Sequence, residues 1–550
     1  MACSLNLTMH EIDFKLLPGT SKLFLDFIEH RGSACELFGG DFRETDTFRH
    51  LAAQLDKFTF DRARVASIIQ DATSSISLSE NTRKNIEKLK LPDSLCVFAG
   101  QQTGLLLGPT YTILKALTAY KLSVKLESEL GRPVVPCFWM ATDDHDFDEI
   151  KSATVLNREG ESINVVYEPQ NIRLGAPVAD LNFDAEVAIF LDTINLELID
   201  TEFKNEIIET LRRYYTPGYS ITTSFIELFS KLLGKFGIVP VDPNFPGLKN
   251  LFLPVFEREI EFHDEVFETF ESRSRLIEDK GYHRQVHKSA GVLNLFYNDG
   301  LRRNILYEQG KYRFDGSPES FSKDVLLNRL ASAPEKFSPN VALRPIAQCK
   351  AFPVIAQIVG PSEAAYFAQI KPLYDFYQVP WPVVFPRQFA TLVEPHIAKI
   401  IKKLSIDFAG LATDREYEIG KVINNNYPSE TLKQADGLKT EIEKSLSDFA
   451  EPLKVSDLES YQAIDHVRRK IDHELNILNK KLSQAHKKKN EEARQRIQRA
   501  ASFLLPNGKF QERVLSPIYF VDKFGPGIID WLEDKLNIES VGHQMLEIDI

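Results

Sequence analysis

The sequence predicts an α/β protein, a parallel-sheet core carrying insertions, with a long antiparallel helical arm attached. Two clusters, at 95–140 and 341–394, read strand, glycine turn, helix, strand and predict the sheet. From 430 to 504 apolar residues step by threes and fours among charges, which predicts the arm. At 550 residues the chain exceeds one ordinary core. Several units are expected.

Residues 1–150 form the N-terminal part of the core in this reading, entered through helical segments such as RHLAAQLDKF. LCVFA (95–99) is a short apolar run, Pro109 suits a first helical turn, and Ile113, Leu114, Leu117, Tyr120 and Val124 repeat at helical intervals as far as Gly131. VVPCFWM (134–140) is a second apolar run. A crossover this long joins parallel strands, and unbroken hydrophobicity suits strands covered on both faces. Pro136 cannot donate to a ladder, so the strand is expected to begin there or to bulge. Residues 151–340 carry shorter strand-like runs (INVVYEP, GIVPVD, NILYEQGKYRF) among helical stretches and read as core continuation with connecting insertions. The second part of the core is expected at 341–428, the coiled-coil arm at 429–505, and a C-terminal segment packing back on the core at 506–550.

A net charge of -12 argues against a body built for nucleic acid, and the lysines at 480–481 and 487–489 read as a solvated helical face. Five scattered cysteines without a CxxC pair fit a reducing compartment. The start lacks a basic segment followed by an apolar one, and no apolar run approaches the ~18 residues of a membrane span. A cytoplasmic protein without a membrane partner is expected. The arm's narrow apolar seam is poorly covered by one hairpin, so a homodimer through the arm is expected too.

Because parallel neighbours end at the same edge of a sheet, the loops after Ala99 and Met140 are expected to line one crevice. The first loop offers backbone approach at Gly100, Gly104 and Gly108, amides at Gln101 and Gln102, Tyr111 and Thr112 in the first helical turn, and Lys115 reaching back toward the helix start. The competing reading is a tight strand-to-helix turn. The second loop gathers Asp143, Asp144, His145, Asp146, Asp148 and Glu149, which suits a general base or acid, with Asp144, His145 and Asp146 as the candidates, or a hold on a cationic amine of substrate. A solvated acidic loop is its bland alternative; metal binding through His145 and its neighbours is a further one, but nothing matches HExxH and no metal ligands are assigned. The third cluster brings Arg344 and Arg387 for carboxylates, with Gln348, Gly360, Glu363 and Tyr366 nearby. GxxxxGK[ST] and GxGxxG are both missing, so neither standard nucleotide fingerprint is supported.

Taken in order, GQQTGLLLGPTYTILKA, PVVPCFWMATDDHDFDEI, RPIAQ, FPVIAQIVGPSEAAYFAQIKPL, PVVFPR and GKFQERVLSPIYFVDKFGP resemble the bacillithiol-biosynthesis cysteine-adding enzyme family. The resemblance implies a Rossmann-like core with a dimerising coiled coil, and a ligase joining cysteine to the amine of glucosaminyl-malate. It also implies activation of the cysteine carboxylate by a nucleotide, with ATP as the candidate cosubstrate, although the HxGH and KMSKS motifs of related synthetases are missing. On this scheme the Gln101/Gln102 loop takes a sugar or anionic portion, and Arg344 or Arg387 holds the malate carboxylates. Two alternatives compete with the ligase: a synthetase-like nucleotide-binding protein whose arm grips RNA, and a dimeric sugar-phosphate sensor without catalysis.

Overall fold

A computed structural model describes residues 10–426 and 430–550. Its central sheet contains β1 (Leu95–Gln101), β2 (Val134–Met140), β3 (Val239–Val241), β4 (Val354–Val359) and β5 (Val383–Pro386), in the order β5-β4-β1-β2-β3. Every neighbouring pair is parallel. All residues of β2 to β5 are buried, as are the first five of β1, which is why these strands read as unbroken apolar runs.

Pro136 neither begins β2 nor bulges it. The strand starts at Val134 and keeps register with β1 throughout, Val97 opposite Pro136, while pairing with β3 begins only at Cys137. The proline therefore lies just before the ladder to β3 begins.

Helix α1 (Tyr111–Leu130) follows β1 and ends at Gly131, whose left-handed φ of 64° suits a residue without a Cβ. Helix α2 (Arg344–Ala351) precedes β4, and α3 (Pro361–Tyr377) links β4 to β5. The crossovers from β1 lead one way across the sheet and that from β4 leads the other. Chain order thus reverses between β1 and β4, the place where open α/β sheets bind ligands.

The insertions build a second, antiparallel sheet in the order Ser320–Phe321, Lys311–Phe314, Arg302–Glu308, Val292–Asn298, Phe337–Pro339. The C-terminal segment belongs to the same compact unit as the core, which comprises the chain up to Leu392 together with Lys509–Ile550. His543–Glu547 pairs antiparallel with His10–Ile12, and the Thr110 N–H and hydroxyl both donate to Leu515 O, at 2.8 and 2.7 Å.

Val393–Gly508 is a second compact unit. Its arm pairs α4 (Glu430–Ala450) with α5 (Leu458–Leu504), held by Asn479 Nδ2 donating to Asp436 at 2.8 Å and by Lys439 reaching Asn476 at 2.6 Å and Asp472 at 3.1 Å. Rising numbers on one helix meet falling numbers on the other, so the hairpin is antiparallel. The expected arm boundary at 428/429 lies outside the described residues. Among the described residues, no helix is long and apolar enough to cross a membrane.

Candidate active site

A cavity of about 780 Å³ opens above the β1/β4 switch point. That is room for a small-molecule substrate. Of the residues singled out in the sequence, Gly100, Gln101, Gln102, Tyr111, Lys115, Asp143, Asp144, Arg344, Gly360, Glu363, Tyr366 and Arg387 line it. The two polar loops do meet at one rim: Gln102 Nε2 donates to Asp144 Oδ2 at 2.9 Å.

Gly100 is required by the close passage of β2, because a Cβ there would stand 3.0 Å from Trp139 O and 3.1 Å from Trp139 Cβ. Beyond it lies Lys115, whose side chain is only 4% exposed. Its ammonium donates to Gly100 O and Gln101 Oε1, each at 3.0 Å, and pairs with Glu363 Oε2 at 2.6 Å. An ammonium has three N–H groups, and all three are spent. Burial pushes the ammonium's pKa down, opposed by the charge and hydrogen bond of Glu363. Lys115 is a fastener in the cavity floor: it ties the end of β1 to the start of α3, where Glu363 Oε2 also accepts from Gly360 N at 2.7 Å.

Similar accounting applies to the acidic loop. Asp143 is held by Lys249 at 2.8 Å, and that lysine spends its other donors on Asn244 Oδ1 at 2.8 Å and Glu335 O at 3.3 Å. Asp144 accepts from Gln102, from His145 N at 2.8 Å and from Arg302 Nη1 at 3.4 Å. Glu149 also lines the cavity and has no cationic partner among the described residues. Burial raises its pKa, Gln102 opposes the rise, and the charges of Asp146 and Asp144 add to it.

Four guanidinium groups line the cavity, from Arg302, Arg344, Arg387 and Arg513. Arg387 is 2% exposed, with Nη2 on Glu512 at 2.5 Å, Nη1 on Gln388 O at 2.9 Å and its plane 3.9 Å above the Phe389 ring. Burial pushes the Glu512 carboxyl up, but the charge and hydrogen bond of Arg387 outweigh it and hold the group below its ordinary range. Arg302 lies 3.9 Å above Phe296 and donates to Pro339 O at 3.0 Å. Arg344 spends one N–H on Tyr366 Oη at 2.9 Å and meets no carboxylate among the described residues.

Several expected residues stand elsewhere. Gly104, Gly108 and Thr112 do not line the cavity, because the middle of the glycine loop is a plug: Leu105, Leu106 and Leu107 are buried, Leu106 N donates to Tyr215 Oη at 2.8 Å, and Leu106 O accepts from Ser516 at 2.9 Å. Nor is the start of α1 an open row of donors, since Thr110 N is taken by Leu515 O. Gln348 is fully buried behind Gln357, which lines the cavity and donates to it. His145 and Asp146 are exposed outside the lining, the His145 Nδ1 lying 3.6 Å from Asp144 Oδ1.

Arg302 and Phe296 come from the antiparallel sheet, and no local motif marks them. Arg513 sits inside GKFQERVLSP, a block whose adjacent Glu512 and Arg513 were the available signal. No group of three or more His, Cys, Asp or Glu suited to a metal ion occurs among the described residues.

These features define a class: a Rossmann-like parallel α/β core with a charged crevice at its switch point, joined to a helical coiled-coil domain. The chain belongs to the bacillithiol biosynthesis BshC family, its residues 7–388 matching the family's N-terminal Rossmann-like domain and residues 390–548 its C-terminal coiled-coil domain. A relative in Salinibacter ruber named "Putative cysteine ligase BshC" is 31% identical, with 96% of each chain covered. The protein of the same name in Prosthecochloris aestuarii is 29% identical, covering 96% of this chain and 97% of its own. A solved chain from Campylobacter jejuni titled a "putative arginyl t-RNA synthetase" aligns at 11% identity and a TM-score of 0.22 over 80% of this chain and 92% of its own, too slight a likeness to bear on fold or activity.

Proposed function

We propose that this crevice is the active site of a cysteine ligase that joins the cysteine carboxyl to the amine of glucosaminyl-malate, forming the amide of bacillithiol. The observation that carries the reading is the meeting of three loops, after β1, β2 and β4, around one cavity with unneutralised groups of both signs: Glu149 on one side, Arg344 on another. Such a wall suits a substrate with an amine at one end and carboxylates at the other.

An attacking amine must be neutral, so a proton acceptor has to face it. Glu149 fills that role. It is the lining carboxylate without a cation, and its raised pKa strengthens it as a base. The N–H bond of the substrate ammonium breaks, an O–H bond forms on Glu149, and the lone pair left on nitrogen attacks the activated cysteine carbonyl. Asp144 orients Gln102, and Arg344 takes a malate carboxylate with the donors Tyr366 leaves unused. As the C–N bond forms, the activated C–O bond breaks and its oxygen departs with the electron pair as phosphate or AMP, the surplus proton on nitrogen passing to solvent. Activation is what first joins that carboxylate oxygen to a phosphoryl or nucleotidyl group. A nucleoside triphosphate is the co-reactant assigned to that step.

Incubating the full chain with cysteine and glucosaminyl-malate, with and without ATP, and detecting the amide product by mass tests the reading. Product that depends on ATP supports it; substrate bound without product under either condition points to a sensor instead. Exposed Leu438, Val467 and Leu478 along the arm support pairing with a second copy. Sedimentation of the full chain tests that, a monomer at all concentrations being the contrary result.

A further inference from the structure

The C-terminal segment reaches the crevice through three consecutive residues, Gln511, Glu512 and Arg513, in one short 3-10 turn. The first two are buried and committed. Gln511 Oε1 accepts from Leu392 N at 2.8 Å while its Nε2 donates to Leu392 O at 3.0 Å. The Glu512 carboxylate accepts from Arg387 Nη2 at 2.5 Å and from Ala390 N at 2.9 Å. Those bonds clamp the turn to the segment that follows β5.

Arg513 has the opposite surroundings. Its side chain is exposed, lines the cavity, and makes no hydrogen bond or ion pair among the described residues. The other three lining arginines each spend donors within the protein: Arg302 on Asp144 and Pro339 O, Arg387 on Glu512 and Gln388 O, Arg344 on Tyr366. Arg513 keeps all five N–H groups of its fork. A guanidinium offered this way, on a turn anchored by its two buried neighbours, matches the paired oxygens of a carboxylate.

We propose that Arg513 binds the dicarboxylate end of the substrate, so that the C-terminal segment supplies a specificity-determining residue to the core's crevice. The inference rests on the ligase reading above, which places malate carboxylates in this cavity. It assigns the carboxylates to two arginines from distant parts of the chain, Arg344 and Arg513.

Titration calorimetry on the full chain tests it, with glucosaminyl-malate and methyl glucosaminide, which lacks the carboxylates, as probes. Arg513→Gln is expected to weaken glucosaminyl-malate binding by about 10- to 100-fold, the loss of one charge-assisted bidentate contact, while changing methyl glucosaminide binding by less than about 2-fold. Arg513→Lys keeps the charge without the fork and falls between. An unchanged melting temperature separates this from misfolding. Glucosaminyl-malate bound as tightly by Arg513→Gln as by the unaltered chain, or equal losses for both probes, overturns the assignment alone. Failure of the unaltered chain to bind glucosaminyl-malate overturns the substrate reading, and this inference with it.

Discussion

Two strand-to-helix loops flank the switch point, and they use their length differently. After β1 the chain spends nine residues, Gln102 to Thr110, before entering α1; after β4 a single residue, Gly360, leads into α3. The long loop has the glycines, yet only Gln102 of those nine lines the cavity, and its centre is three buried leucines wedged between Tyr215 and Ser516. The short loop puts Gly360, Pro361, Ser362 and Glu363 straight onto the cavity wall. Glycine density marks where backbone must pass close or turn back, and that need arises in packing as readily as in binding. The site's character comes instead from which charges the protein has left without partners.

The sharpest way to break this contrast is to remove the fastener that joins the two loops. Lys115→Met strips donors from Gly100 O, Gln101 Oε1 and Glu363 and leaves a carboxylate unpaired beside a buried floor. A loss of about 3 to 5 kcal/mol in urea unfolding is expected, together with loss of product formation. Full stability with altered binding alone would mean that Lys115 serves the ligand after all.

Next in size is the proposed base. Glu149→Gln should lower turnover about 100-fold while substrate binding persists. A base works ionised, so the rate falls as pH drops through its pKa. The upward shift at Glu149 places that acid limb above the ordinary carboxylate range. The limb should vanish in the variant, whereas His145→Ala should change the rate by less than about 3-fold, as fits a side chain outside the lining. A limb abolished by the histidine change instead would restore the imidazole as base.

How far the sequence could take this argument varies with distance along the chain. The βαβ units were legible because continuous apolar runs, a helical repeat and a capping glycine all act locally. So was the meeting of the two polar loops, since parallel neighbours leave no other edge for them. What escaped depends on remote partners: Arg387 reads as a carboxylate binder until Glu512, 125 residues away, is found occupying it. The expectation of a base among Asp144, His145 and Asp146 did not take in a four-residue helix, Phe147–Ile150, too short to show periodicity; Asp144 and Glu149 line the cavity, with His145 and Asp146 outside it. The order of the antiparallel sheet that supplies Arg302 was equally beyond local pattern.

A smaller effect is expected at Arg344, which differs from Arg387 in having donors to spare. Arg344→Gln should weaken glucosaminyl-malate binding about 10-fold by calorimetry with little change in unfolding midpoint. Arg387→Gln reverses the pattern, exposing its loss in stability, because Glu512 is then left buried without its cation. Equal behaviour of the two variants would erase the distinction between committed and free arginines.

The mildest test returns to the glycines themselves. At Gly104 an added Cβ would lie 3.1 Å from the Gly108 Cα, backbone against backbone, so Ala there must spread the leucine plug and should cost about 1 kcal/mol in stability. At Gly360, where φ is -86°, the same Cβ meets only the Glu363 Oε2 at 3.4 Å and the Arg387 Nε at 3.7 Å. Gly360→Ala is therefore tolerated by the fold, but its methyl group stands on a cavity wall where a substrate oxygen would approach the start of α3. Chemical denaturation and ligand titration on the two variants should give opposite signatures, stability lost with binding kept at Gly104, binding weakened with stability kept at Gly360. If Gly104→Ala proved the one that impairs binding, the long loop would regain the role its composition suggests, and the uncommitted charges would no longer suffice to locate the ligand.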